Sequence, residues 1–286
     1  MRMLAPLLLG WNWRGAKATA LTVRDETMPV DGGSIRLRIY TPLGDGPFPL
    51  LHFFHGGGWV FGDLETHDPV CRDLCVQTRR IVVAFDYRLA PTHPFPIPVE
   101  DCLASLAWMQ RNATRIGGDV NAIALCGDSA GGNLAAVAAQ QAQRLHPGLI
   151  KAQVLIYPVT DNSHHAQWDS YTATIKKGSL THEAMNRLWE MYLRNSPLCT
   201  AGMTRHELAT PLHAADLSGL PRCLLVIAEE DPLRDEGIAY GRLLQAAGVD
   251  TTTKLYEKQL HGFVGLKPTP PYRQAIADIV AWLDHK

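Results

Sequence analysis

The chain has 286 residues, 46% of them hydrophobic and 19% charged, which suffices for the core of one large α/β domain. Lys plus Arg number 27 against 28 Asp plus Glu, a formal charge of -1, and this excludes the basic excess that nucleic-acid binding needs. The six cysteines are scattered, and the Cys71 and Cys75 spacing is not repeated by another pair, so they read as free thiols in a reducing compartment and not as a zinc site.

In chain order, the N-terminal run Met1 to Leu9 superficially resembles a signal peptide. It is short, broken by Pro6 and followed by Trp11, Trp13 and Arg14 in place of a small-residue cleavage site, so a cytoplasmic location is expected. No run approaches the roughly 20 apolar residues that span a bilayer. Strands are predicted at Ile35 to Tyr40, Leu50 to Phe54, Ile81 to Tyr87, Ala122 to Cys126, Val154 to Tyr157, Cys223 to Ala228 and Thr252 to Tyr256. Helices are predicted between them, at Asp68 to Thr78, Val99 to Asn112, Ala130 to Arg144, Asp235 to Ala247 and Tyr272 to Leu283. This alternation is that of an α/β fold with a mostly parallel central sheet flanked by helices. The earliest two strands, joined to the rest by the Pro-rich turn Pro42 to Pro49, are expected as antiparallel additions at the edge. One segment breaks the pattern: between Asp161 and Pro211 lies an amphipathic helix, Thr181 to Arg194, bearing Met185, Leu188, Trp189 and Tyr192. It reads as a helical cap, with Trp189 and Tyr192 supplying the apolar lining of a ligand pocket, and less well as a helix packed on the sheet edge.

Residues 127 to 131 read Gly-Asp-Ser-Ala-Gly between a strand pattern and an alanine-rich helix pattern, the context of a nucleophile elbow. So tight a turn strains its central residue and exposes the Ser129 hydroxyl at the positive end of the helix dipole. Upstream, the strand Leu50 to Phe54 opens into His55-Gly56-Gly57-Gly58-Trp59, a pattern that supplies oxyanion donors. The expected donors are the backbone amides of Gly57, Gly58 and Ala130. A serine nucleophile needs a base, and the base needs an acid to orient it. Asp231 follows the apolar run Leu224 to Ala228, and beyond it the chain has only His261 and His285, of which His285 lies in a fraying terminus. The candidates are therefore Ser129, Asp231 and His261. Asp235, Glu229 and Glu230 are alternatives for the acid, though Asp235 better suits the first turn of a helix and the glutamates are longer and looser. The remaining histidines take other roles: His52 and His55 face opposite sides of a strand and cannot share a metal, His164 and His165 lie in a polar loop, and His93 braces a Pro-rich turn. His55 is expected to shape its loop, and Trp59 fits pocket or core equally.

Together, His55 to Trp59, Asp86-Tyr87-Arg88-Leu89-Ala90-Pro91, Gly127 to Asn133, Asp231 to Gly237 and His261-Gly262-Phe263 resemble the hormone-sensitive-lipase-like branch of the α/β-hydrolases. The resemblance runs from about Thr27 to the C-terminus. It implies an α/β-hydrolase fold, the triad Ser129, Asp231 and His261, and the oxyanion hole Gly57, Gly58 and Ala130. A catalytic domain is expected over residues 23–286 with a cap insertion at about 162–210; as a departure from the family, the N-terminal segment 1–22 is shorter, so that a reduced cap and a more open pocket are expected. Glu230 and Thr92 depart from the family pattern without touching the proposed chemistry.

The implied activity is that of a serine carboxylesterase acting on short- to medium-chain esters, with no cofactor or metal, a small-molecule ester as its partner and dimerisation as a family habit. Two other readings stand beside it. A non-catalytic small-molecule receptor on the same fold would be expected to lose the base, yet His261 is present. A hydrolase of amides or carbamates would share every motif.

Overall fold

The structure is a computed structural model that describes residues 20–162, 168–173, 180–196, 198, 206–265 and 268–285. One eight-stranded sheet organises them in the order β1-β2-β4-β3-β5-β6-β7-β8. Its strands are β1 (Leu21–Val30), β2 (Gly33–Pro42), β3 (Phe48–Phe54), β4 (Ile81–Phe85), β5 (Gly118–Asp128), β6 (Ile150–Ile156), β7 (Arg222–Glu230) and β8 (Thr251–Leu260). From β4 to β8 the neighbours run parallel, and the interior strands carry buried, largely apolar runs because helices cover both faces. β4, Ile-Val-Val-Ala-Phe, is buried at every position.

The antiparallel edge consists of β1 and β2, both ahead of the Pro-rich turn, whereas β3 lies inside the sheet between β4 and β5. β1 is a strand that the residue pattern does not announce. Only Leu21 and Met28 along it are buried, so apolar alternation carries almost no signal. Its pairing with β2 is set by the Asp31-Gly32 turn, where Gly32 has φ 71°, the positive φ that a tight hairpin favours. Ionic ties add to it: Arg38 donates to Asp25 at 2.7 Å and Arg115 to Glu26 at 2.7 Å.

The helices are α1 (Asp68–Thr78), α2 (Ile97–Asn112), α3 (Ala130–Leu145), α4 (Asp169–Ala173), α5 (His182–Leu193), α6 (Arg234–Ala246) and α7 (Pro270–Asp284). Alternate residues of one strand serve opposite layers. Leu225 and Ile227 of β7 pack with the layer of α2, α3 and α6, and Leu224 and Val226 pack with that of α1 and α7. Each such side chain contributes roughly 1.5–3 kcal/mol on burial. Outside the strands, Arg88 is fixed by a two-pronged contact to the fully buried Asp101, at 2.7 and 2.9 Å.

α4 and α5 lie in the long connection between β6 and β7, where the sequence places its cap. The carboxyl ends of β3, β5, β7 and β8 deliver, in turn, the Gly-rich loop, Ser129, Asp231 and His261. Ligand sites of open parallel sheets form at these ends.

Candidate active site

Ser129 separates the last residue of β5 from the first of α3 and holds φ 55° and ψ -119°. A non-glycine residue in such a region costs about 1–3 kcal/mol and persists only where its surroundings fix it. They do so here. The Ser129 amide donates to the Ile156 carbonyl at 2.9 Å, and the Ser129 carbonyl accepts from the amides of Asn133 and Val159. The flanking glycines allow the close approach this requires: a Cβ on Gly127 would lie 2.2 Å from the Gly131 carbonyl oxygen, and one on Gly131 only 1.9 Å from that of Phe54.

His261 begins the turn after β8 and Asp231 follows β7 directly. His261 Nε2 lies 2.9 Å from Ser129 Oγ, and His261 Nδ1 lies 2.7 Å from Asp231 Oδ2. Since a carboxylate can only accept, Nδ1 carries the proton and Nε2 is left to accept from the hydroxyl. The other oxygen of Asp231 accepts from the Leu233 amide at 2.9 Å, and Asp231 is fully buried. Tyr157 backs the imidazole with ring centroids 4.7 Å apart. The three residues named from the sequence thus meet from three separate stretches of chain.

Gly57 and Gly58 lie in the loop after β3, at φ 118° and 60°, and Ala130 is the first residue of α3. Among the described residues no acceptor pairs with these three amides. The loop is braced from behind. The Gly56 amide donates to Asp128 Oδ1 at 2.9 Å, which ties the loop to the residue beside Ser129. His55 donates from Nδ1 to the Gly56 carbonyl at 2.8 Å and stacks on Tyr87 with centroids 4.2 Å apart. Burial pushes His55 down to about 4, so it is neutral and turned into the protein.

The expectation that Trp189 and Tyr192 line a pocket does not describe what they touch. Both are fully buried and pack on Trp59, with ring centroids 4.6 and 4.2 Å away. They glue α5 to the Gly-rich loop, and Leu188 of the same helix presses on Gly58, where a Cβ would meet it at 2.5 Å. Of the alternative acids, Asp235 sits in the first turn of α6 and accepts from the Ser170 amide at 2.8 Å, while Glu229 accepts from the Lys258 amide at 2.8 Å and Glu230 ends β7. His52 is buried between the Val83 carbonyl and Ser105, pushed down to about 4 by burial. The His93 amide closes its turn on Leu89. His164 and His165 lie outside the described residues. Cys71, Cys75, Cys102, Cys126 and Cys223 are buried and free. No cluster of three potential metal ligands occurs among the described residues, and no described helix is long and apolar enough to cross a membrane.

Sequence reasoning does not single out three groups beside the site: the partly buried Asp128 and its partner His67, and the fully buried Glu236. Asp128 stands inside the elbow motif, and the small Gly56 that makes room for it is the signal that could have found it. His67 and Glu236 leave no such trace, because their partners are remote in sequence.

Residues 51–265 match the family model described as alpha/beta hydrolase fold. Carboxylesterase NlhH of Mycobacterium tuberculosis is 38% identical over 253 residues, covering 88% of this chain and 78% of that protein. Among solved structures, an esterase of the archaeon Pyrobaculum calidifontis aligns at 40% identity with a TM-score of 0.86 over 92% of this chain and 85% of its own. EstE1, a thermostable carboxylesterase cloned from a metagenomic library, aligns at 38% identity with a TM-score of 0.88, covering 97% and 92%.

Proposed function

Since the chain belongs to the hormone-sensitive-lipase-like branch of the α/β-hydrolases and is a carboxylic ester hydrolase, we propose that it works through an acyl-enzyme on Ser129 and prefers short- to medium-chain esters. The observation that carries this reading is the unbroken hydrogen-bond chain from Ser129 Oγ through His261 to Asp231, at 2.9 and 2.7 Å. Neutral His261 takes the hydroxyl proton as Oγ adds to the ester carbonyl. Asp231 fixes the ring and stabilises the imidazolium so formed. The carbonyl oxygen, now negative, meets the amides of Gly57, Gly58 and Ala130, each such donor typically worth about 3 kcal/mol of transition-state stabilisation. Proton return to the alkoxide expels the alcohol, and a water activated by His261 releases the acid in the second half-reaction.

The insertion at about 162–210 acts in this reading as the cap, and Leu188 packed over Gly58 restricts the space beside the acyl group, which favours shorter chains. The test is a p-nitrophenyl ester series of rising acyl length, run on the wild type and on Ser129→Ala. Turnover should be greatest for short and medium chains and absent in the variant. A preference for long chains would sink the substrate assignment alone. Equal rates on matched esters and amides would favour the amidase reading.

A further inference from the structure

Behind the Gly-rich loop lies an ion pair that the reaction steps above do not use; its proposed role rests on the reading of Ser129 as nucleophile and of Gly57 and Gly58 as oxyanion donors. Asp128, next to Ser129, accepts from the Gly56 amide at 2.9 Å and lies 3.3 Å from His67 Nε2. His67 caps the start of α1, its side chain 15% exposed, and its Nδ1 meets Thr66 Oγ1 at 3.0 Å. The Thr66 hydroxyl also lies 2.9 Å from the Asp63 carbonyl, and when it donates there Nδ1 brings its own proton. Nε2, facing a carboxylate, brings another. With both ring nitrogens protonated, His67 is an imidazolium facing the Asp128 carboxylate. Phe53, Val70, Ile156, Tyr157 and Val264 wall the pair, so its attraction is weakly screened. Without a counter-ion a carboxylate so enclosed takes up a proton.

We propose that His67 is a positioning residue: its cationic ring keeps Asp128 ionised, and Asp128 pins the Gly56 amide so that Gly57 and Gly58 stay in register with Ser129.

The surrounding groups leave His67 as the member that changes charge on the alkaline side. Burial opposes its protonation, but Asp128 and Asp63 outweigh it and raise its pKa. Asp128, likewise opposed by burial, is held low by His67 and the Gly56 amide. The His55 ring, just past β3 and 5.5 Å from the His67 ring, is neutral, pushed down to about 4 by burial. The Cys71 thiol on α1 and the Tyr157 phenol beyond β6 are both held protonated by burial, and Asp68 on α1 is engaged with Arg38 and Arg72. The pair is complete while His67 is protonated and is lost as pH rises through its raised pKa. The turnover of the wild type should therefore fall on an alkaline limb.

The experiment compares wild type and His67→Gln in kcat and KM on p-nitrophenyl butyrate from about pH 6 to 9.5. Oxyanion donors act on the tetrahedral intermediate, so kcat should drop about 10- to 100-fold with KM within about threefold, and the alkaline limb should vanish in the variant. A kcat within about twofold of wild type, a loss confined to KM, or a persistent alkaline limb would overturn the inference. Should the variant fail to fold, ring nitrogen-15 spectra of the wild type near neutrality decide: two protonated nitrogens on His67 support the proposal, one overturns it. Labelling of wild-type Ser129 by a serine-directed phosphonate keeps the outcomes apart. A wild type that resists the label refutes the serine reading, whereas a labelled wild type with an unaffected variant refutes only the role of His67.

Discussion

Ser129 occupies a backbone region that most side chains avoid, and the chain tolerates this because its two neighbouring glycines let a strand and a helix meet almost in contact. That local demand is written in the sequence as a motif, which is why the serine could be named from five residues. Asp231 and His261 were legible for another reason: chain order and the position just past a strand left few alternatives, and the two lie 2.7 Å apart. His67 was not legible, since a histidine ahead of a helix acquires meaning only from a carboxylate on a different strand. The orientation of the base gives a direct prediction. Asp231→Asn should leave the fold intact but lower kcat by about 10⁴, because an amide partner favours the wrong imidazole tautomer. A steady-state assay that finds less than about a tenfold loss would pass the acid's role to another carboxylate.

At the scale of elements, the connection between β6 and β7 and the loop after β7 are one assembly. Glu236 of α6 is fully buried and accepts from the Thr160 amide at 2.7 Å and from the Tyr171 hydroxyl of α4. Ser170 of α4 donates to the Pro232 carbonyl at 2.6 Å, one residue beyond Asp231. The start of the β6–β7 connection is thereby fastened to the loop that carries Asp231. The sequence shows an amphipathic helix and a long connection but not this clamp, whose halves are remote from one another. Burial raises Glu236 to about 8, above its ordinary value of 4.5, so its contribution to stability is complete below that ordinary value and is lost as pH rises through about 8. Glu236→Gln has no proton to lose. Denaturant unfolding at about pH 5 and pH 8 should show the variant gaining on the wild type by about 1–3 kcal/mol at the higher pH. Parallel pH dependence in both proteins would mean that Glu236 does not titrate in this range.

Over the whole molecule, alternation of strand and helix fixed the parallel part of the sheet, and its apolar strands could be found because both faces are covered. β1 escaped because it is polar and nearly solvent-exposed, held by pairing and ion pairs that leave no periodic mark. The amphipathic helix after Thr181 was visible, yet its aromatic residues turned out to serve the core: Trp59, Trp189 and Tyr192 form one stack that joins it to the hydrolase body. Trp189→Ala should therefore cost about 3–5 kcal/mol of global stability, read from denaturant unfolding. A cost below about 1 kcal/mol would describe a helix that rests loosely on the body.

The central claim is that Ser129 forms the covalent intermediate. Incubation with a p-nitrophenyl phosphonate, followed by intact-mass and peptide mapping, addresses it most directly. One equivalent of p-nitrophenol released per chain, with the adduct on Ser129 and none in Ser129→Ala, is the predicted result. An adduct on another residue, or undiminished ester turnover by Ser129→Ala, would contradict it.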